Sequence, residues 1–249
     1  MARRPLPRAR RVRTAGGPLR PPRHRPFDDV PRGAPAYTGR DLAEDPLRVL
    51  DAVGASRAHL VGLSMGGAIT QQLAIEHPER VASATLVSTS RVVAGPDGPP
   101  PAPPSAELSG LWSGDGPDPD DPEALVDSLV EVDRALTGRG RFDADRTRAI
   151  ARRAVARSTD AGVGDNHLQA PEGEPVRGTL GDIAVPTLVV HGAVDPLFPG
   201  HGAVLAAAVP GASLLVLEDV GHQVPPPSSW DVLLPALERH LTAARRTTG

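Results

Sequence analysis

Ser64 stands in Gly62-Leu63-Ser64-Met65-Gly66, five residues with the spacing G-x-S-x-G. Glycines at those positions suit a serine at the apex of a sharp strand-to-helix turn, its backbone strained and its hydroxyl projecting beyond the carboxyl end of the strand. Alone the pentapeptide says little, because a glycine-rich chain supplies such matches by chance and a small residue in a tight turn needs no chemistry. A serine hydroxyl becomes a nucleophile only when a base takes its proton. An imidazole base in turn needs a carboxylate to fix its tautomer and stabilise the imidazolium. The chemistry at stake is acyl transfer, and the histidines and acids decide whether the chain can do it.

Asp195 in "TLVVHGAVDPLFP" and His222 in "LLVLEDVGHQVP" each fall in a loop just after an apolar run that reads as a strand. Catalytic groups of open α/β sheets collect at the carboxyl ends of strands, and Ser, Asp, His is one of the chain orders in which such triads occur. Rivals exist for each role. His191 ends the strand that leads to Asp195, where a histidine reads as a packed core residue. His77, His167, His201 and His240 fall on helix or lid positions without a strand end. Glu218 and Asp219 are alternative carboxylates close to His222, whereas Pro196 fixes a turn directly after a strand and favours Asp195. No spacing of His and acids resembles a metal site and no loop resembles a phosphate cradle, so neither a metal nor a cofactor is expected.

These residues need a scaffold, and the periodicity supplies one. "GRDLAEDPLRVLDAVG" predicts a helix ending at Gly54, with Pro46 as a kink inside it. "RAHLVGL" predicts a short buried parallel strand, Met65 to His77 a helix and "VASATLVST" a second strand, together a strand-helix-strand crossover. Residues 92–122 are too rich in Pro, Gly and Asp for regular structure, and helices return at Pro122–Thr137 and Asp143–Ser158. "VPTLVVHG", "PGHGAVLAAAV", "ASLLVLED" and "SSWDVLLPALERHLTAA" then alternate strand and helix to the end. The expected fold class is α/β, a mostly parallel sheet with flanking helices. Residues 27–91 and 181–249 would form the two parts of the core, 92–180 an inserted helical lid, and 1–26 a basic tail rich in Pro and Arg.

Composition narrows the function classes. The chain has no cysteine, and all 27 of its basic residues are Arg, which excludes thiolate nucleophiles, disulfides and Schiff-base lysines. The net charge of −3 hides an asymmetry: nine Arg and no acid in residues 1–26, then 18 Arg against 30 acids. The basic arm has no aromatic for base stacking and no helical period, so no nucleic-acid partner is expected. No apolar stretch is long enough to span a bilayer and no secretory leader is evident, so neither a membrane partner nor export is expected and the cytoplasm is the expected location.

The segments "AEDPLRVLDAVGASRAHLVGLSMGGAITQQLAIEHPERV", "PTLVVHGAVDPLFP" and "VGHQVP" resemble the α/β-hydrolase fold family, over residues 37–90 and 183–245. Within it, "PAYTGRDLAED" and the flank of the serine turn are similar to small esterases that include polyketide methyl esterases. The resemblance implies Ser64 as nucleophile, Asp195 as the acid, His222 as base and the backbone N–H of Met65 as one of two oxyanion-hole donors. The expected partner is a small-molecule carboxylic ester as substrate, a choice the resemblance does not itself settle. The same scaffold carries lipases, thioesterases, peptidases and cofactor-free haloperoxidases or perhydrolases.

The family opens with two or three further strands and a His-Gly loop that gives the second oxyanion donor, and residues 1–36 show no counterpart. Back-translated and read one base later, "LRPPRHRP" permits Tyr-Asp-His-Arg-Asp-Thr-Gly-Arg, which resembles the segment after the family's third strand. The expectation is that residues 1–26 are an out-of-frame reading of the N-terminal half-sheet, with the frame resuming near Phe27. The expected function is a serine hydrolase acting on an ester through an acyl-enzyme. One alternative is a catalytically impaired fragment of that fold, and another is perhydrolase or haloperoxidase chemistry from the same triad.

Overall fold

The computed structural model describes residues 32–93, 102–108, 116–158, 160–161 and 166–246. The basic tail and the reading-frame expectation lie outside them. A capping box opens the first helix: the Thr38 hydroxyl accepts from the Asp41 N–H at 3.2 Å and the Asp41 carboxylate accepts from the Thr38 N–H at 2.8 Å. Helix α1 (Gly39–Ala52) then continues through Pro46. It is followed by Gly54 at φ +68°, a left-handed value open to glycine at no steric cost. The elements after it are β1 (Ala58–Leu63), α2 (Met65–Glu76), β2 (Val81–Val87), α3 (Pro122–Thr137), α4 (Ala144–Arg157), the short α5 (Asn166–Gln169), β3 (Thr187–Gly192), α6 (His201–Ala208), β4 (Ser213–Leu217) and α7 (Trp230–Arg246).

Among the described residues four strands lie side by side in chain order and every neighbouring pair is parallel. Right-handed crossovers that all step in one direction place their helices on one face. Accordingly α2 and α6 cover one face, where Leu73, Ala74, Leu86, Val189 and Leu205 pack together. On the opposite face Leu233 of α7 packs on Val87, Leu188, Val190 and Leu217. Leu86 and Val87 thus serve different cores, as the two-residue strand period requires. Leu86 and Leu205 are fully buried, and burial of such a side chain contributes about 1.5–3 kcal/mol.

Strands β2 and β3 are buried along their whole length. The expectation of a buried strand for "RAHLVGL" is only partly met, since Val61 in β1 is 61% exposed. The reason is position: among the described residues β1 pairs with β2 alone, and Val61 lies outside the core that α7 closes. Helices α3 and α4 arise within 0–1 residue of their expected bounds at each end. They run antiparallel, tied by Arg148–Asp127 at 2.6 Å and Arg152–Glu123 at 3.0 Å. Exposed pairs of this kind contribute at most about 1 kcal/mol. The buried Val126, Val130 and Ala151 do more to hold the hairpin in place.

Candidate active site

Backbone strain marks the serine turn. Ser64 (φ 51°) and Ser88 (φ 41°) are the two non-glycine residues with positive φ among the described residues, and they directly follow the neighbouring strands β1 and β2. Each still extends the ladder, Ser64 N–H donating to Val87 O and Ser88 N–H to Val190 O, both at 2.9 Å. Strain of this sort persists only where surroundings impose it, and it concentrates at functional sites. The imposing contacts are visible. A methyl group at Gly62 would run into the Gly66 backbone, and one at Gly67 would stand 2.7 Å from Thr89 Cβ. Thr89 Oγ1 also donates to Ser64 O at 2.8 Å. Gly66, the second glycine of the pentapeptide, faces open space. Met65 is the first residue of α2, so its N–H has no intrahelical acceptor and lies at the positive end of the helix dipole.

Asp195 and His222 come to this turn from the loops after β3 and β4. Asp195 Oδ1 accepts from the N–H groups of Leu197 and Phe198, both at 2.9 Å. Its Oδ2 lies 3.0 Å from His222 Nδ1, and His222 Nε2 lies 2.9 Å from Ser64 Oγ. With a carboxylate on one side, Nδ1 is the nitrogen that donates; Nε2 is left with a lone pair that accepts the Ser64 O–H. Burial alone would push the Asp195 carboxyl up. The hydrogen bond and charge of His222, together with the Phe198 N–H, outweigh it and hold the carboxyl below its ordinary range. The acid stays ionised in the dry position where an imidazolium would need it.

The rivals are occupied elsewhere. His191 Nε2–H donates to Phe198 O at 2.8 Å and lies 3.8 Å from Asp195 Oδ2. Burial keeps its pKa below the usual value, against the opposing pull of the Phe198 carbonyl and Asp195. A methyl on Gly202 would run into its ring, so His191 is wedged beneath α6. His201 does have a strand-end neighbour, contrary to expectation: Nδ1 meets Ser90 Oγ at 2.8 Å and Nε2 meets Ala102 O at 2.7 Å. It therefore holds the segment after β2. Asp195 and Ser64 take both ring nitrogens of His222, which leaves Glu218 and Asp219 outside the line.

Sequence reasoning missed Phe198. Its ring meets His222 edge-on, with centroids 5.1 Å apart and planes at 82°, and stacks on His201, also at 5.1 Å. The available signal was scarcity: it is one of three Phe in the chain and stands three residues after the candidate acid.

A parallel sheet covered by helices on both faces, with a strained serine at a strand end, defines a hydrolase of the α/β class. The sequence model of the alpha/beta hydrolase fold matches residues 20–225, and the chain belongs to that family. The matched span begins within the Arg-rich segment and runs through residues 92–180, beyond the segments that carry the resemblance. The chain is 33% identical over 208 residues to rhodomycin D methylesterase DauP of Streptomyces sp. strain C5, covering 76% of this chain and 68% of the relative. It superposes on a hydrolase from Pseudomonas aeruginosa PA01 with a TM-score of 0.53 at 27% identity, over 84% of this chain and 72% of that one. Est816, described as an N-acyl homoserine lactone degrading enzyme, gives a TM-score of 0.55 at 26% identity, over 81% of this chain and 75% of its own. Among the described residues no helix is long and apolar enough to cross a membrane.

Proposed function

We propose that the chain is a serine esterase in which Ser64 is the nucleophile, His222 the general base and Asp195 the acid that orients it. The observation that carries this reading is the unbroken line from Ser64 Oγ through His222 to Asp195, at 2.9 and 3.0 Å. As Ser64 Oγ bonds to the ester carbonyl carbon, its proton passes to His222 Nε2 and the carbonyl oxygen becomes an oxyanion. The Met65 N–H at the start of α2 is one donor to that oxyanion. His222 then gives its proton to the departing alkoxide, which leaves as an alcohol. Water, deprotonated by the same nitrogen, attacks the acyl-enzyme, releasing the carboxylic acid and restoring the Ser64 hydroxyl.

The relative named as a methylesterase supports a methyl ester as the substrate, with methanol as the alcohol released. The test is a panel of methyl and p-nitrophenyl esters assayed with the chain and with Ser64→Ala. The expected result is saturable turnover that falls at least about 1000-fold in the variant. Bromination that needs added peroxide, without ester turnover, would instead favour the perhydrolase or haloperoxidase reading.

A further inference from the structure

The end of α3 touches both loops that carry the candidate triad. Leu136 O accepts from the His222 N–H at 2.7 Å. One residue on, the fully buried Thr137 places its hydroxyl 2.7 Å from Asp133 O and 2.9 Å from Gln223 Oε1. A hydroxyl has one proton and cannot serve two such acceptors at once, while Gln223 Nε2 is buried with no partner among the described residues. With the Gln223 amide turned end for end, one Nε2–H donates to Thr137 Oγ1 and the hydroxyl proton goes to Asp133 O, so the hydroxyl serves a single acceptor and Nε2 gains a partner. The backbones also fit closely. A methyl on Gly221 would run into the Thr137 carbonyl, and one on Gly138 would stand 3.3 Å from Val194 O and from Pro196, next to Asp195.

We propose that the turn after α3 is a brace for catalysis and that Thr137, through Gln223 and the backbone on either side of His222, is a positioning residue. This rests on the reading of Ser64, His222 and Asp195 as the triad. The hairpin of α3 and α4 is then tied directly to the base. Lifting its turn breaks the bond to the His222 N–H, so hairpin position and alignment of the base are coupled. Misalignment affects proton transfer more than substrate binding, so it shows in kcat and leaves KM alone.

The experiment uses the full chain with p-nitrophenyl acetate. Thr137→Val deletes the hydroxyl at nearly constant volume, Thr137→Ser restores it, and Gln223→Leu removes the partner if the valine variant folds poorly. The expected result is a fall in kcat of about tenfold in Thr137→Val and Gln223→Leu with KM unchanged, and recovery to within about twofold of the parent in Thr137→Ser. Hydrogen exchange at the His222 N–H rises with the loss. Undiminished kcat in folded Thr137→Val and Gln223→Leu, while Ser64→Ala is inactive, overturns the brace and leaves the triad standing. Turnover that survives Ser64→Ala overturns the triad and the brace together.

Discussion

Asp195 does two jobs with its two oxygens, which makes it the most informative residue to replace. Oδ1 is held by the backbone of its own turn and Oδ2 by His222, so the side chain both shapes the loop and sets the tautomer. In Asp195→Asn an amide N–H can face Nδ1 and force the proton onto Nε2, the nitrogen that must accept from Ser64. We expect turnover to fall about 1000-fold to 10000-fold with the fold intact, measured as kcat on a simple ester alongside near-ultraviolet circular dichroism. A loss below tenfold would show that another carboxylate orients His222. His191, although near the same carboxylate, has its Nε2 committed to Phe198 O and cannot take over as base without breaking that turn.

At the level of elements, the junction of β1 and α2 depends on two glycines that are not both in the pentapeptide. Gly67→Ala would drive a methyl against Thr89, whereas Gly66→Ala enters open space and removes a glycine from the first turn of α2. The expected outcome is a clear drop in thermal midpoint for Gly67→Ala, and for Gly66→Ala an unchanged or slightly raised one, since the substitution gains up to about 1 kcal/mol of helix propensity. The strands and helices were legible because "VASATLVST" and "VPTLVVHG" are apolar runs bounded by turn residues, and Asp195 because Pro196 follows it. The exposure of Val61 was not legible, since an apolar run reads the same at the edge of a sheet as at its centre. Contacts between Thr137 and Gln223 were also hidden, because nothing local relates residues 86 positions apart. The role of Gly67 escaped for the same reason: its constraint is Thr89, on the far side of a crossover.

Over the whole molecule, the buried Asp195–His222 pair of the proposed triad ties stability to pH in acid. The folded carboxyl lies below its ordinary value, so between that value and the unfolded one, about 3.9, the unfolded chain binds more protons. Its stabilising contribution is therefore complete above about pH 5 and is lost as pH falls through the folded value. Denaturant melts of the parent and Asp195→Asn should differ most near neutral pH and converge in acid; a gap that widens in acid would contradict the ionised, paired state. The family match spans residues 20–225, and the proposed chemistry turns on one atom, Ser64 Oγ. The most direct measurement is the mass of the intact chain after treatment with a fluorophosphonate, followed by peptide mapping. The expected result is one adduct, located on Ser64, that does not form in Ser64→Ala and forms slowly in His222→Ala. An adduct on another residue, or an unlabelled chain that still hydrolyses esters, would contradict it.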